Sequence, residues 1–320
     1  MVGPMNFDMI QASAARAEGH VRRTPLLTSP FIDEIAGRRV WVKAECLQHT
    51  GSFKFRGAWS AVSALSDEER AQGIFASSSG NHAQAIALAS KMHGASAVIL
   101  MPSDAPKLKI ANTEALGAEV VLYDRATEDR EELAKNLAAQ RQLTFIPPYD
   151  HPQVIAGQGT CGLEIHEDAP EGADVLVCCS GGGLTAGIAL ALEETGRRVH
   201  PVEPEGFDDV ARSLIAGERK RNEKTSGSLC DAIISPQAGD LTWPIIKRLC
   251  KPGIVVTEDE ALRTMALAWL RLKIVVEPGG AVALAAVLFH GDEIEGDDIA
   301  LTVSGGNVDP AVFAMAMEKL

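Results

Sequence analysis

No stretch of this sequence is long and apolar enough to span a bilayer: the longest apolar run, Gly279 to Phe289, falls short of the roughly 18 residues required. A basic segment followed by an apolar one is also missing at the N-terminus, where Met1 to Ala17 carries Asp8 and Arg16 among short apolar pieces, so no secretory signal is expected. The six cysteines lack framework spacing and form no C-x-x-C pair, which excludes a disulfide scaffold, a zinc knuckle and a thioredoxin-like redox site, and fits a reducing cytoplasm. Positive charge is in deficit. Thirty Lys and Arg against 43 Asp and Glu leave −13, a balance that repels nucleic-acid backbones but admits one small anionic ligand. Internal repeats and low-complexity tracts are absent as well.

What remains is a chain of 320 residues, 46% hydrophobic and 23% charged, in the range of a soluble globular protein with one large or two moderate domains. Its partners are expected to be small molecules. Strand-like apolar runs alternate with Ala-rich helical stretches, the pattern of parallel strands joined by crossover helices, and hence an α/β fold. Strands are expected at Arg39 to Glu45, Gly73 to Ser77, Ala97 to Met101, Val120 to Tyr123, Thr144 to Ile146, Asp174 to Cys179, Arg198 to Glu203 and Ile299 to Val303. Helices are expected at Phe55 to Leu65, Asn81 to His93, Pro106 to Leu116, Ala126 to Gln140, Leu184 to Glu194, Asp259 to Arg271 and Ala281 to Phe289. Pro147, Pro148 and Pro152 interrupt the alternation and suggest a domain border, after which the Gly-rich stretch Gly157 to Gly162 reads as the opening of a helix. The polar segment Gly217 to Gly227 reads as an exposed loop.

The string Gly51-Ser52-Phe53-Lys54-Phe55-Arg56-Gly57 sets one lysine between two phenylalanines where a polar turn becomes a helix. Burial disfavours an ammonium ion, and a neutral amine can attack a carbonyl to form a Schiff base. A lysine whose stem packs on the rings while its head reaches water is the bland alternative. Read whole, the string resembles the cofactor-lysine motif of fold type II pyridoxal-phosphate enzymes, in particular the serine/threonine dehydratase and serine racemase group, and the later motifs follow in the same order nearly end to end. The resemblance implies a tryptophan synthase beta-like fold of two open twisted sheets flanked by helices. A large domain would comprise residues 1–72 and 151–320, and a small domain residues 73–150. It implies pyridoxal 5'-phosphate linked to Lys54, with Phe53 packed beside the pyridine ring, and a homodimer.

Ser180-Gly181-Gly182-Gly183-Leu184 follows a strand and opens a helix, where unpaired N–H groups and the helix dipole favour an anion. The same segment satisfies a relaxed dinucleotide fingerprint, with Glu203 at the end of the next strand, so an NAD-dependent dehydrogenase is the rival from another enzyme class. The resemblance makes Gly181, Gly182, Gly183 and Leu184 a phosphate cradle instead. Glu203-Pro204-Glu205-Gly206-Phe207-Asp208-Asp209 concentrates carboxylates that suit a hard divalent cation. By resemblance the ligands would be Glu203, the Phe207 carbonyl and Asp209, holding Mg²⁺, Ca²⁺ or Mn²⁺. A solvated acidic loop is the alternative.

Ser78-Ser79-Gly80-Asn81-His82 lies between a strand and a helix, and its hydroxyls and free N–H groups suit a carboxylate or a simple N-cap. The similar family stretch binds the substrate α-carboxylate, and its Asn, here Asn81, bonds the cofactor's phenolic oxygen. Ser304, before Gly305-Gly306-Asn307, would face the pyridine nitrogen. His82 is expected to make a structural hydrogen bond rather than to act as a base, and Cys178 and Cys179 to fill a buried strand. Glu277-Pro278-Gly279-Gly280 also resembles a family motif near the cofactor, but its role does not follow from the sequence.

The implied reaction is a β-elimination from a β-hydroxy amino acid of the serine/threonine type. Lys54, displaced by the substrate, removes the Cα proton, the hydroxyl leaves, and hydrolysis yields a 2-oxo acid and ammonia. Ser79 matches the racemase branch, so amino-acid racemisation is an alternative. By the same resemblance, Arg130 and Gln237 are candidates for a second carboxylate, which keeps a 3-hydroxyaspartate ammonia-lyase open.

Overall fold

The computed structural model describes residues 5–78, 80–105 and 107–320. Among them the strands run in chain order as β1 (Leu26–Leu27), β2 (Arg39–Ala44), β3 (Ile74–Ser77), β4 (Ala97–Pro102), β5 (Glu119–Tyr123), β6 (Thr144–Phe145), β7 (Asp174–Cys178), β8 (Val199–Pro204), β9 (Ile254–Val256) and β10 (Asp298–Val303). They form a six-stranded sheet ordered β1-β2-β10-β7-β8-β9 and a four-stranded sheet ordered β5-β4-β3-β6. Every pair is parallel except the short edge strand β1 against β2. Strands β4, β7 and β8 are buried along their whole length, as parallel strands covered by helices on both faces must be. The α/β fold read from the alternation is therefore the fold observed.

Strand order places the chemistry. The last strand, β10, threads between β2 and β7, with Val303 opposite Ala44 and Leu301 opposite Leu176. The carboxyl ends of β2, β10 and β7 then lie side by side, leading into the Lys54 turn, Ser304 and the glycine loop. Crevices outside the carboxyl ends of parallel strands are where such sheets bind ligands.

Helix Lys54–Ser63 joins the two sheets. Its Phe55, Trp59 and Val62 share a buried cluster with Ile74 and Ile99 of the smaller sheet and Ile86 of helix Asn81–Met92, while its opposite side crosses helix Pro152–Asp168. That second helix corrects the sequence reading: Gly157 to Gly162 do not open a helix but sit inside one that Pro152 begins. A Cβ on Gly157 would lie 2.5 Å from the Arg56 carbonyl oxygen, and one on Gly159 2.9 Å from that of Gly187. Each interior glycine costs about 1 kcal/mol of helix propensity, offset here by the close approach of three helix backbones. The segment from Gly217 to Gly227 is irregular as expected, yet Asn222 within it is buried against Asp209.

Candidate active site

The turn before Lys54 is held by backbone geometry. Thr50 and Gly51 take left-handed φ values of 57° and 75°, Ser52 bridges to Gly305, and the Phe53 N–H donates to the Ser304 carbonyl at 3.0 Å. The helix starts at Lys54 itself. Its Nζ donates to the Pro148 carbonyl at 2.8 Å and lies 5.1 Å from the centre of the Phe53 ring. No carboxylate pairs with it directly among the described residues. Burial pushes the amine down to about 8, opposed by the field of Glu277. Phe55 faces away into the core, so one of the two flanking rings reaches the cleft.

Opposite Lys54, the chain leaves β7 through Ser180 and Gly181, passes Gly182 at φ 90° and begins helix Gly183–Ala191. No backbone carbonyl among the described residues accepts from the N–H groups of Gly181 to Leu184. Thr185, which the sequence reading missed, adds a buried hydroxyl without a hydrogen-bond partner. Unclaimed N–H groups, a helix N-terminus and an orphaned hydroxyl on one wall fit a phosphate. The glycines are also sterically required: a Cβ on Gly181 would lie 2.5 Å from the Tyr149 ring, and one on Gly182 2.6 Å from Ile246.

The third wall comes from the smaller sheet, where Ser78, Gly80, Asn81 and His82 line the cleft at the start of helix Asn81–Met92. Ser79 lies outside the described residues. His82 is buried with Nε2 2.9 Å from the Ile146 carbonyl, which can only accept, so Nε2 carries the proton. Burial pushes this ring down to about 3, and it stays neutral. What the first turn offers an anion is therefore main-chain N–H and the Ser78 hydroxyl, not imidazolium.

Ser304 closes the floor beside Cys178. Glu277, whose role the sequence left open, also lines the cleft; burial pushes its carboxyl up to about 7 against a hydrogen bond from Asn81. Lys109 and Asp231 face each other across the opening at 3.2 Å. Two expected positions lie elsewhere. Arg130 is exposed at the start of helix Arg130–Arg141 and Gln237 is outside the cleft lining, whereas Ser235, two residues earlier, is in it. The reason is local: the Ser235 N–H is tied to Ser180 Oγ at 3.0 Å, and this fixes which residue of the segment turns inward.

The sequence matches the profile described as pyridoxal-phosphate dependent enzyme over residues 17–305. The chain belongs to that family. It is 40% identical to the L-threo-3-hydroxyaspartate ammonia-lyase of Saccharomyces cerevisiae, covering 98% of this chain and 96% of the relative. It is 38% identical to the serine racemase of Schizosaccharomyces pombe, covering 96% of each. The structure of maize serine racemase superposes with a TM-score of 0.92 at 36% identity, over 99% of this chain and 98% of that one. Family membership removes the dinucleotide reading of the glycine loop. Glu203 is thereby freed for another task.

Glu203 and Asp209 are buried outside the cleft. The Glu203 carboxylate accepts from the Val210 and Ala211 N–H groups at 3.2 and 2.7 Å, and Asp209 from Asn222 and the Ala238 N–H at 2.7 and 3.0 Å. Burial drives Glu203 well above the usual carboxylate range, with the Asp209 charge adding to the effect. Burial also raises Asp209 to about 6, against the hydrogen bond from Asn222. No set of three or more His, Cys, Asp or Glu converges among the described residues, so a cation here would take two carboxylates and complete its shell with carbonyl and water oxygens.

Proposed function

We propose that this protein is an ammonia-lyase that eliminates water from a β-hydroxy amino acid, after which water hydrolyses the unsaturated amine to a 2-oxo acid and ammonia, with no net change in water. One observation carries the reading: an amine lowered to about 8 faces a phosphate-sized set of unclaimed donors across one cleft. Gly181 to Leu184 and Thr185 would hold the phosphate of pyridoxal 5'-phosphate, Phe53 its ring face, Ser304 its ring nitrogen and Asn81 its phenolic oxygen. Bound there, the cofactor supplies an electron sink for Cα of the attached substrate. Ser78 and the N–H groups at the start of helix Asn81–Met92 hold the α-carboxylate. Lys54 Nζ, neutral in part near pH 8, takes the Cα proton, and the Pro148 carbonyl keeps that nitrogen oriented.

Ser304 offers a hydroxyl, not a carboxylate, to the ring nitrogen, so the sink is moderate and elimination is favoured over a long-lived carbanion. Racemisation would need an acid on the other face of Cα, the role assigned to Ser79. A second carboxylate, as in 3-hydroxyaspartate, would meet Lys109, a cation that lines the cleft, rather than Arg130 or Gln237, which do not. The surface pair with Asp231 is weak enough to exchange for a substrate carboxylate.

Finer assignments belong to the same proposal. Two buried carboxylates without a directly paired cation fit Mg²⁺, Ca²⁺ or Mn²⁺ at Glu203, the Phe207 carbonyl and Asp209, where the ion would neutralise charge and brace helix Asp209–Ala216. Residues 1–72 and 151–320 would form the large domain and 73–150 the small one. Exposed Phe31, Ile35 and Trp269, with the Arg271 guanidinium 4.5 Å over the Phe31 ring, support a homodimer through that face. No helix among the described residues is long and apolar enough to cross a membrane, and a cytoplasmic location is proposed.

The test is a substrate screen with serine, threonine and both diastereomers of 3-hydroxyaspartate, following ammonia, 2-oxo acid and Cα configuration. The reading requires stoichiometric ammonia and 2-oxo acid from at least one of them. Ser79→Ala should suppress inversion while sparing elimination. Configuration change without ammonia would replace the lyase by a racemase.

A further inference from the structure

Resting on that functional reading, we propose that Glu277 is a positioning residue for the cofactor, acting through the side-chain amide of Asn81. The Glu277-Pro278-Gly279-Gly280 segment opens the long apolar helix Pro278–Phe289, yet its first residue is a carboxylate only 4% exposed. Glu277 Oε1 accepts from Asn81 Nδ2 at 2.6 Å. Asn81 Oδ1 in turn accepts from Asn307 Nδ2 at 2.7 Å, and the same Asn307 nitrogen donates to the Thr50 carbonyl at 2.7 Å. Thr50 belongs to the turn that presents Lys54.

This chain specifies both ends of the Asn81 amide. A flipped amide would set oxygen against a carboxylate and NH₂ against NH₂, so Asn81 can offer the cleft only its second Nδ2 hydrogen. Above about pH 7, where Glu277 is ionised, the hydrogen bond to its charged oxygen is about twice as strong as a neutral one, and the carboxylate holds that donor more firmly than an amide or hydroxyl would. Glu277 itself is fixed by its own backbone: its N–H donates to the Gly305 carbonyl at 3.0 Å, and its carbonyl accepts from Gly280 at 2.9 Å.

The glycines of three motifs make room for the arrangement. A Cβ on Gly305 would collide with the Glu277 carboxylate, one on Gly51 would lie 2.6 Å from Asn307 Oδ1, and one on Gly280 would collide with the Gly305 carbonyl. Glu45, a buried carboxylate away from the cleft, has a cationic partner in Arg56. Glu277 has a neutral amide, with Lys54 and Lys109 only near enough to be felt. Its function is to hold one hydrogen in place beside the cleft.

A double-mutant cycle tests the assignment. Apo-protein of wild type, Glu277→Ala, Asn81→Ala and the double variant is titrated with pyridoxal 5'-phosphate, reading the dissociation constant and the visible absorption maximum, with circular dichroism as the folding control. Glu277→Ala should weaken cofactor binding about 10-fold and move the absorption maximum. In the Asn81→Ala background the same change should alter affinity less than about 2-fold, since the group it acts through is gone. Glu277→Gln keeps an acceptor of the same shape without the charge, and should lose about 3-fold in affinity with a smaller spectral shift; it carries the test if the alanine variant does not fold. Equal losses in both backgrounds, or unchanged affinity and spectrum, overturn the proposal. Wild-type protein that takes up no cofactor would instead overturn the functional reading beneath it.

Discussion

Lys54 and Arg56 begin the same helix two residues apart, and their surroundings are opposite. Arg56 is buried between two carboxylates: Nε and Nη2 donate to Glu45 at 2.7 Å each, and Nη1 and Nη2 to Glu164 at 2.7 and 2.8 Å. Lys43 completes the network against Glu164 at 2.6 Å. Although burial opposes it, the Arg56 guanidinium holds Glu45 below the ordinary carboxylate range. Lys54 meets only a carbonyl, and burial lowers its amine to about 8 instead. Balanced charge fixes the helix start; unbalanced charge two residues away leaves an amine ready to react. The Glu203–Asp209 pair is the same imbalance with the opposite sign.

Breaking the balanced side should have the largest effect. Arg56→Met leaves Glu45 and Glu164 without their guanidinium, and unfolding by denaturant should show a loss of about 3–5 kcal/mol. A loss under about 1 kcal/mol would mean the network does not anchor the helix. Next comes the acidic pair. Asp209 is raised from its ordinary 3.8 to about 6, so its contribution to stability is full below pH 4 and lost as pH rises through 6. Chelated protein should therefore melt lower at pH 8 than at pH 5. Mg²⁺ or Ca²⁺ at about 100 times its Kd should recover about 2.7 kcal/mol at pH 8 and much less at pH 5, while Asp209→Asn should abolish the cation effect. An equal cation effect in that variant would remove Asp209 from the site.

The smallest effect expected is at the mouth of the cleft. Lys109→Met should raise KM for 3-hydroxyaspartate about 10-fold, or roughly 1.4 kcal/mol, and leave KM for serine within about 2-fold. Parallel losses on both substrates would show that Lys109 does not read a second carboxylate.

The contrast between the two charges also marks what sequence could and could not tell. Parallel alternation, the Lys54 turn and the glycine loop after β7 are local patterns, and each is legible because backbone conformation and function demand the same residues there. Helix Pro152–Asp168 was hidden because its glycines answer to tertiary packing, not to local propensity. The terminal helices Phe7–Ala17 and Pro310–Met317 are only partly buried, the first burying Ile10 and Ser13 and the second Ala316, so no broad core face marks them in the sequence. Tyr149, Thr185, Lys109 and Ser235 reach the cleft through strand order and loop packing, which no spacing encodes. Tyr149 had one signal, its place in the proline-rich break after β6, read there as a border. Gln237 lies outside the cleft lining for a related reason: in an irregular segment, a two-residue register change decides which side chain turns inward.

The uncompensated amine of Lys54 is proposed to carry the cofactor. Borohydride reduction of freshly isolated, cofactor-loaded protein followed by peptide mapping reads that linkage. A single modified peptide is expected, with pyridoxal phosphate fixed at Lys54 and none on Lys109, the other lysine of the cleft. Full cofactor loading with Lys54 recovered unmodified would contradict it.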